Sequence, residues 1–545
     1  MKKNNLISIF FLFIVLLILF IPFYKPGMFF TLDGSLREKL PAPVFNGPGY
    51  FFSYFLYLLN QFLDVALIQK GFYFFIMSFL LIGSYLAAPF KNNFAKLFFA
   101  GFLTFNPFVY ARFLSGHTMV ILGYAIFIHL FLAIFRKESA SKYGLIAIIL
   151  FLLMLTSIHF LFIGSMFIGG YLLIKFLFLR DVTIKNIWPI IVACVLVTIT
   201  YIFTAIQPFP GLNDFLEFSS QDLFAFISLP DNKFGLIPNI ISLYGFWNEG
   251  EHQFILLKQI IIFWPVVTLI LVGAALMGFI KYWKKNQQQD EKIAAFFTLG
   301  FAFFSLILAV GVQSELLQSA VIFIYDKTKI FNILREPHKI IGVVAVFMAF
   351  FSSYYFEEAG FKAKKITVLF LLLAYVYYPG FVFGFNKEIK MSFYPNDWYK
   401  ARTFLNNDSG DFRLLVFPWH MYMPFRFANY KNIYNVAAYF FDQQKTISAR
   451  NYEVKALYTH DNSLEQMHVE GLLNMTLVGK NLFGERAKMT TGWGEALSPI
   501  DVKYIMLLKE SSWRTYKFLD KQKDLAKIYG NESLTIYKNL MFGKK

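Results

Sequence analysis

MFFTLDGSLREKLPAPVFN (residues 28–46) follows the run LISIFFLFIVLLILFIPF (residues 6–23), in which no residue is charged. As a helix such a run crosses roughly 30 Å of hydrocarbon, so residues 28–46 become the first loop beyond a membrane. The lead-in MKKNN resembles a secretory leader, but the exit YKPGMFF has no small-residue cleavage pair, which predicts an uncleaved first helix. Within the loop Asp33 stands among Gly, Ser and Pro, where a carboxylate reaches a membrane-embedded site without crossing hydrocarbon.

Hydrophobic residues make up 57% of the 545 and charged residues 16%, with a mean hydropathy of +0.52. Most of such a chain must face lipid or itself, so it reads as a polytopic α-helical membrane protein. The lone cysteine, Cys194, lies in an apolar run. It excludes an intramolecular disulfide framework and thiolate clusters, and is expected to be a small buried hydrophobe. The formal charge is +17, of which residues 389–545 contribute +7, from 22 Lys/Arg against 15 Asp/Glu. Charge spread in this way is no nucleic-acid surface, and no nucleic-acid motif accompanies it.

Further apolar runs at 71–90, 94–113, 118–135, 144–179 (split in two at Thr156, Ser157 and His159), 187–205, 254–280, 293–312, 340–356 and 366–385 bring the expected total to about eleven spans. FFSYFLYLLNQF (residues 51–62) is too short to span and is expected in the interface or as a half-helix. Alternate loops differ in Lys/Arg as spanning requires: Arg136, Lys137 and Lys142, then Lys281, Lys284, Lys285 and Lys292, fall on one side. The loop 207–253 falls on the other, with Lys233 alone against six acids. This orients the N-terminus to the cytoplasm, in a plasma membrane, with the C-terminus outside.

Beyond residue 388 charges become frequent and apolar runs shrink to strand length, in FRLLVFPW (412–419), VKYIMLL (502–508) and a hairpin at 528–538. The chain therefore divides into a helical membrane domain, 1–388, with outer loops 24–70, 207–253 and 313–339, and an extracytoplasmic α/β domain, 389–545. In the latter, Trp493 between Gly492 and Gly494 is expected as a loop aromatic for sugar rings. Its His420, His460, His468, Asp442 and Glu465 show no ligand or triad spacing, so no chemistry is expected there.

The topology predicts that Asp33, Glu38, Arg112, Ser115, His117, His159, Arg335, Glu336, His338 and Lys339 share one level, the outer mouth of the bundle, where ionisable groups must pair or line a wet cavity. Asp33 has two readings, a general base or metal ligand in a partly desolvated loop, or a solvated acid paired with Arg37. Glu38 reads as facing water. Arg112 and His117 face outward in NPFVYARFLSGH (106–117), as suits a phosphate, or serve a proline-bent hairpin. LREPHK (334–339) offers Arg335, His338 and Lys339 to a phosphate headgroup, with an internal Arg335–Glu336 or an interhelical ion pair as the alternative. His159 is either a satisfied core histidine or a ligand.

The order of NPFVY, Arg112 and SGH, then LREPHK, then YPNDWY (394–399) and LLVFPW (414–419), resembles the YfhO-like and arabinofuranosyltransferase-like branches of the GT-C membrane glycosyltransferases. The resemblance implies a polyprenyl-phosphate sugar donor, an envelope glycan, lipid or protein acceptor, and inverting transfer at the outer face of the bilayer. It implies Asp33 as the acid of the first outer loop, holding Mg2+ or Mn2+ where a metal is used. Many members pair two acids there, whereas here Leu32 and Gly34 flank Asp33 and the next acid is Glu38. A non-catalytic transporter or assembly factor for lipid-linked glycans is the alternative.

Overall fold

The protein is seen in a computed structural model that describes residues 3–43, 49–179, 184–205, 219–286, 288–328, 335–358, 375–442, 445–451, 453–454, 457–458, 463–476 and 491–544. It has two compact units. The first comprises Met1–Lys25, Pro41–Pro208 and Ser219–Ile389; the second comprises Pro26–Leu40 and Lys390–Lys545, with 209–218 lying outside the described residues. The first loop is thus divided, and its Asp33 portion belongs with the C-terminal residues instead of the membrane helices to which the sequence assigns it.

In the first unit, Val65–Ala87, Ile158–Leu179, Trp264–Lys285, Gln289–Gln313 and Pro337–Glu358 are long and apolar enough to cross a membrane. Asn93–Thr104 (α1) and Pro107–Leu114 (α2), bent by 41° at their junction, count as a sixth crossing if taken together. Four apolar helices are shorter: Asn5–Leu19, Thr118–Ile134 (α3), Ala140–Thr156 and Ile187–Ile202. The unit is a multi-pass membrane domain. The expected eleven spans included these four and residues 366–385, of which 366–374 lie outside the described residues.

The central post is Pro337–Glu358, of which 83% of the most apolar stretch is buried, against 39–44% for the other four long helices. A helix apolar all round belongs inside a bundle, and this one is. Trp264–Lys285 packs on it through Gly278, where a Cβ would collide with the Phe351 carbonyl. That helix starts later than expected: residues 257–260 form a single turn, and Pro265 opens the long helix at its N-terminal end, where a missing N–H costs nothing. Cys194 is exposed on its helix, so the apolar surroundings inferred for it are lipid and not a protein core.

The second unit is α/β. Its sheet is built from Arg413–Phe417 (β1), Thr446–Ile447 (β2), Val502–Leu508 (β3), Leu525–Gly530 (β4) and Leu534–Asn539 (β5), in the order β4-β5-β3-β1-β2. β1 is parallel to β2 and β3, while β5 is antiparallel to β3 and β4. VKYIMLL is almost continuously apolar because β3 is covered on both faces. Leu415, Phe417, Ile505 and Leu507 face one core with Val469 and Leu473 of the helix Leu464–Thr476. Trp398, from the helix Asn396–Asn406, anchors an aromatic layer with Phe425, Phe427, Phe440 and Phe441.

Trp493 is 0% exposed, and this overturns its reading as a sugar platform. It lies 5.9 Å from Phe417 and 5.0 Å from Phe518, and its indole N–H donates to Thr476 Oγ1 at 3.0 Å. The flanking glycines serve different needs: a Cβ on Gly494 would strike Asn539 and Asp524, while Gly492 has open space around it and takes a left-handed φ of 91°. Trp493→Ala is expected to lower the unfolding free energy of this unit by about 3–5 kcal/mol, read by denaturant titration of its near-UV dichroism.

Candidate functional site

The site grows from one dipeptide. Asn106 and Pro107 break the chain between α1 and α2, with Pro107 as the first helical residue of α2 and not an interior kink. The Asn106 side chain serves both halves: its Oδ1 accepts from Val109 N at 3.1 Å, and its Nδ2 donates to Phe102 and Leu103 carbonyls at 2.8 and 2.9 Å. It caps one helix end and closes the other. At the far end of α2, Gly116 has φ 78°, a left-handed conformation that a side chain would strain. There Gly116 N bonds Phe113 O and His117 N bonds Arg112 O, the two-bond glycine stop of a helix. This turns His117 back over Arg112.

Arg112 is 0% exposed, and its Nη1 meets Glu336 Oε2 at 2.7 Å and His117 Nδ1 at 2.8 Å. Lys339 Nζ meets the other Glu336 oxygen at 3.1 Å and His159 Nε2 at 2.9 Å. His338 hydrogen-bonds through Nε2 to the Tyr244 carbonyl at 3.0 Å, and its Nδ1 lies 3.5 Å from Arg112 Nη2. A carbonyl accepts and a cation donates, so each imidazole turns a lone pair to a cation: His117 and His338 to Arg112, His159 to Lys339. With neutral imidazoles, two cations share one carboxylate and the cluster keeps a net positive charge. The Glu336 ion pairs are therefore with Arg112 and Lys339: of the two pairings weighed from the sequence, the structure shows the interhelical one and not the one with Arg335.

Arg335 stands apart, its guanidinium 5.3 Å from the Phe226 ring. It lines a narrow pocket whose other walls are apolar, among them Leu223, Leu308, Val312, Val321, Pro337 and Ile340. The segment 244–249 covers the cluster. Phe246 lies 3.8 Å from the Arg112 guanidinium carbon, and Asn248 Nδ2 donates to Ser115 Oγ at 2.8 Å. Glu249, 5% exposed, accepts from Gly245 N at 3.1 Å. None of Tyr244, Phe246, Asn248 or Glu249 stood out in the sequence. The acidic count of loop 207–253 pointed to an outer face, and the positive φ of Leu243, 65°, and of Gly245, 100°, mark the turn that folds this segment inward.

Asp33 and Glu38 belong to the second unit, apart from the cation cluster of the first. Met28 and Phe29 pair antiparallel with Ser392 and Met391, and Tyr434 N donates to the Leu32 carbonyl at 3.0 Å. Gly34 N bonds Thr31 Oγ1 and Ser35 Oγ bonds Thr31 O, both at 2.9 Å, which sets Asp33 at the tip of a braced turn. The Asp33 side chain is exposed and accepts from the Tyr422 hydroxyl at 2.7 Å. The partly desolvated setting is thus corrected to an open one, and its phenol partner replaces Arg37, whose guanidinium covers the Tyr439 ring at 4.2 Å. Glu38 is held by Arg402 at 2.6 Å and so does not act as the second acid of a pair. Among the described residues no three His, Cys, Asp or Glu side chains converge on one point. A divalent cation at Asp33 would have a single protein carboxylate, and the reaction proposed below passes through no metal.

Burial pushes the Glu249 carboxyl up to about 7 against the opposing pull of Lys258 and the Gly245 N–H. The folded state then holds this proton more tightly than the unfolded chain, whose value is about 4.3. Stability from this residue is present below about pH 4 and is lost as pH rises through about 7. Glu249→Gln is expected to unfold at a higher temperature than the wild type at pH 8 and to match it near pH 4. The gap at pH 8 has a ceiling of about 3–4 kcal/mol.

The sequence matches no protein-family model and no curated protein. Its fold is similar to that in a single-particle cryo-EM structure of the arabinofuranosyltransferase AftD from Mycobacteria, with a TM-score of 0.63 and 11% identity over 99% of this chain and 40% of that one. The chain thus spans about 40% of the length of that protein. With its apolar spans and its α/β unit, the chain has a fold like that of this arabinofuranosyltransferase.

Proposed function

We propose that the protein is an inverting membrane glycosyltransferase that moves a sugar, hexosyl or pentosyl, from a polyprenyl-phosphate donor to an envelope glycan, lipid or protein acceptor. The reaction lies at the outer face, with the N-terminus cytoplasmic and the C-terminal unit extracytoplasmic. The observation that carries the reading is the apolar pocket charged by Arg335. Its walls suit an isoprenoid chain, and a guanidinium suits the phosphate that chain bears.

In this reaction the acceptor oxygen bonds the anomeric carbon from the face opposite the phosphate, the bond from that carbon to the phosphate oxygen breaks, and the configuration inverts. Asp33 takes or orients the acceptor proton. Arg335, with Lys339 or Arg112, holds the charge that builds on the departing phosphate. His117 and His338 hold the Arg112 fork in place through the bonds described above, and Glu336 and His159 do the same for Lys339.

A second reading, a non-catalytic transporter or assembly factor for lipid-linked glycans, is favoured by two observations. Glu38 is occupied by Arg402, which leaves Asp33 without a companion acid in its loop, and α1 and α2 form a broken helix of the kind that lines transport sites. The readings separate by mutation. Transfer requires that Asp33→Asn lower sugar transfer by about 10³-fold or more with unchanged membrane expression, and that Arg335→Ala raise the donor KM. Loss of function in Arg335→Ala and Arg112→Lys, with Asp33→Asn active, supports the second reading and overturns the first.

A further inference from the structure

The second unit holds a constellation that sugar transfer does not use. β1 and β3 are parallel neighbours, so the chain leaves both at the same edge of the sheet, the edge where α/β proteins gather reactive groups. His420 follows the end of β1, and Ser512 follows the end of β3. Glu453 comes from a third segment, the short strand Glu453–Val454. His420 Nδ1 lies 2.9 Å from Glu453 Oε2, and His420 Nε2 lies 3.0 Å from Ser512 Oγ. A carboxylate only accepts, so the ring proton sits on Nδ1, and the lone pair of Nε2 accepts the Ser512 hydroxyl proton. This is the proton order of an activated serine.

Two further observations set Ser512 apart from an ordinary loop serine. Its backbone is left-handed, φ 53° and ψ 6°, a conformation that costs a non-glycine residue roughly 1 kcal/mol and is taken more cheaply by Gly or Asn. It is also the N-cap of the helix Trp513–Lys521, yet it makes no side-chain capping bond. An N-cap serine ordinarily gives its oxygen to a first-turn amide; here the hydroxyl turns to His420. The histidine is held from behind, its N–H on the Pro418 carbonyl at 3.0 Å and its carbonyl on Asn435 Nδ2 at 3.2 Å. The preceding Trp419 N–H donates to the Tyr516 hydroxyl at 2.9 Å.

We propose that Ser512, His420 and Glu453 form a serine esterase site for short acyl esters carried on an exposed hydroxylated molecule, independent of the sugar transfer. Ser512 is exposed, and the His420 and Glu453 side chains are each 28% exposed, so no apolar enclosure selects a long acyl chain. Ser512 Oγ bonds the ester carbonyl carbon while His420 Nε2 takes its proton. The carbonyl oxygen becomes an oxyanion beside the Arg514 amide in the first turn of the helix that starts at Trp513, where the Trp513 and Thr515 amides already bond the Glu510 and Ser512 carbonyls. His420 returns the proton to the ester oxygen as the bond from that oxygen to the carbonyl carbon breaks, and the alcohol leaves. Water then adds to the acyl-serine with His420 taking its proton, the carboxylic acid departs, and the proton returns to Ser512. Glu453 is a positioning residue, since it holds the ring tautomer and touches no substrate.

The test uses full-length protein in detergent, a fluorophosphonate probe with the labelled peptide identified by mass spectrometry, and hydrolysis of p-nitrophenyl acetate. Ser512 is expected to carry the label in the wild type, and labelling should vanish in Ser512→Gly and His420→Gln. Ser512→Gly keeps the fold because glycine takes φ 53° without strain. Glu453→Gln should lower ester kcat/KM by about 10-fold or more and displace its pH profile, which a merely structural contact would not do. No label on Ser512 under conditions that label a known serine hydrolase, labelling that persists in His420→Gln, or equal hydrolysis by wild type and Ser512→Gly would overturn the proposal.

Discussion

A guanidinium with no exposed surface must be neutralised where it stands, and the first unit is arranged around that requirement. Arg112 and Glu336 are 224 residues apart in sequence and meet at 2.7 Å. Each charge costs several kcal/mol to desolvate, and the attraction repays this only if the remaining donors and acceptors are also filled. Partners come from four directions, His117 and His338 on the guanidinium, Lys339 on the second carboxylate oxygen and His159 on the ammonium, while the buried Arg112 Nε has no hydrogen-bond acceptor among the described residues. A buried pair is a weak source of stability compared with packed apolar groups. Its place between α2 and the start of the most buried helix is better understood as fixing where positive charge sits. With neutral imidazoles the cluster holds two cations against one carboxylate, so it is not a neutral clasp.

The second unit shows a different constraint, the closure of a long loop in the chain. Residues 26–40 leave the first helix and pair with residues that follow the last membrane segment, Met28 with Ser392 and Phe29 with Met391. Bringing such distant segments together costs chain entropy that grows only slowly with the length enclosed, and the contacts that offset it are specific: the two-strand ladder, Tyr434 on Leu32, Tyr394 on Leu36, Arg402 on Glu38. Asp33 therefore owes its position to the C-terminal residues. Shortening the chain near residue 385 would remove the partners of the loop along with the domain, so the acid and the C-terminal domain cannot be assigned separate duties by truncation.

Much of this architecture was legible in the sequence because it follows from periodicity and composition. The split of 144–179 at Ser157, the strands β1 and β3, the closing hairpin and the helix opened by Pro395 are local consequences of apolar spacing and of Gly, Pro and Asn at turns. NPFVYARFLSGH carried both its breaks, since Asn-Pro starts a helix and Ser-Gly ends one. The pairings did not follow, because spacing says nothing about which distant acid a cation will meet. Glu336 could be seen beside Arg335 but not that it belongs to Arg112. Trp493 misled for a related reason: glycines on both sides suggest an exposed loop, yet here Gly492 supplies a left-handed turn into a short helix and Trp493 itself is buried in the unit's core.

The histidines of the second unit show where such reading stops, and which observation replaces it. Neither His468 nor His420 has a second ligand or triad partner at a telling spacing in the sequence, and His460 lies outside the described residues. His468 Nε2 rests 2.6 Å from the Ala496 carbonyl, a partner that holds no proton to exchange, so the bond only fixes the helix Leu464–Thr476. His420 instead joins a carboxylate on one nitrogen to a hydroxyl on the other. What separates a structural imidazole from a reactive one is therefore the pair of partners, one to fix the tautomer and one able to give up a proton. Positions 420, 453 and 512 carry no common spacing, because the register of β1 against β3 assembles two of them. In a parallel sheet the search for such groups belongs at the residues that leave neighbouring strands, since the fold places those side by side whatever their separation along the chain.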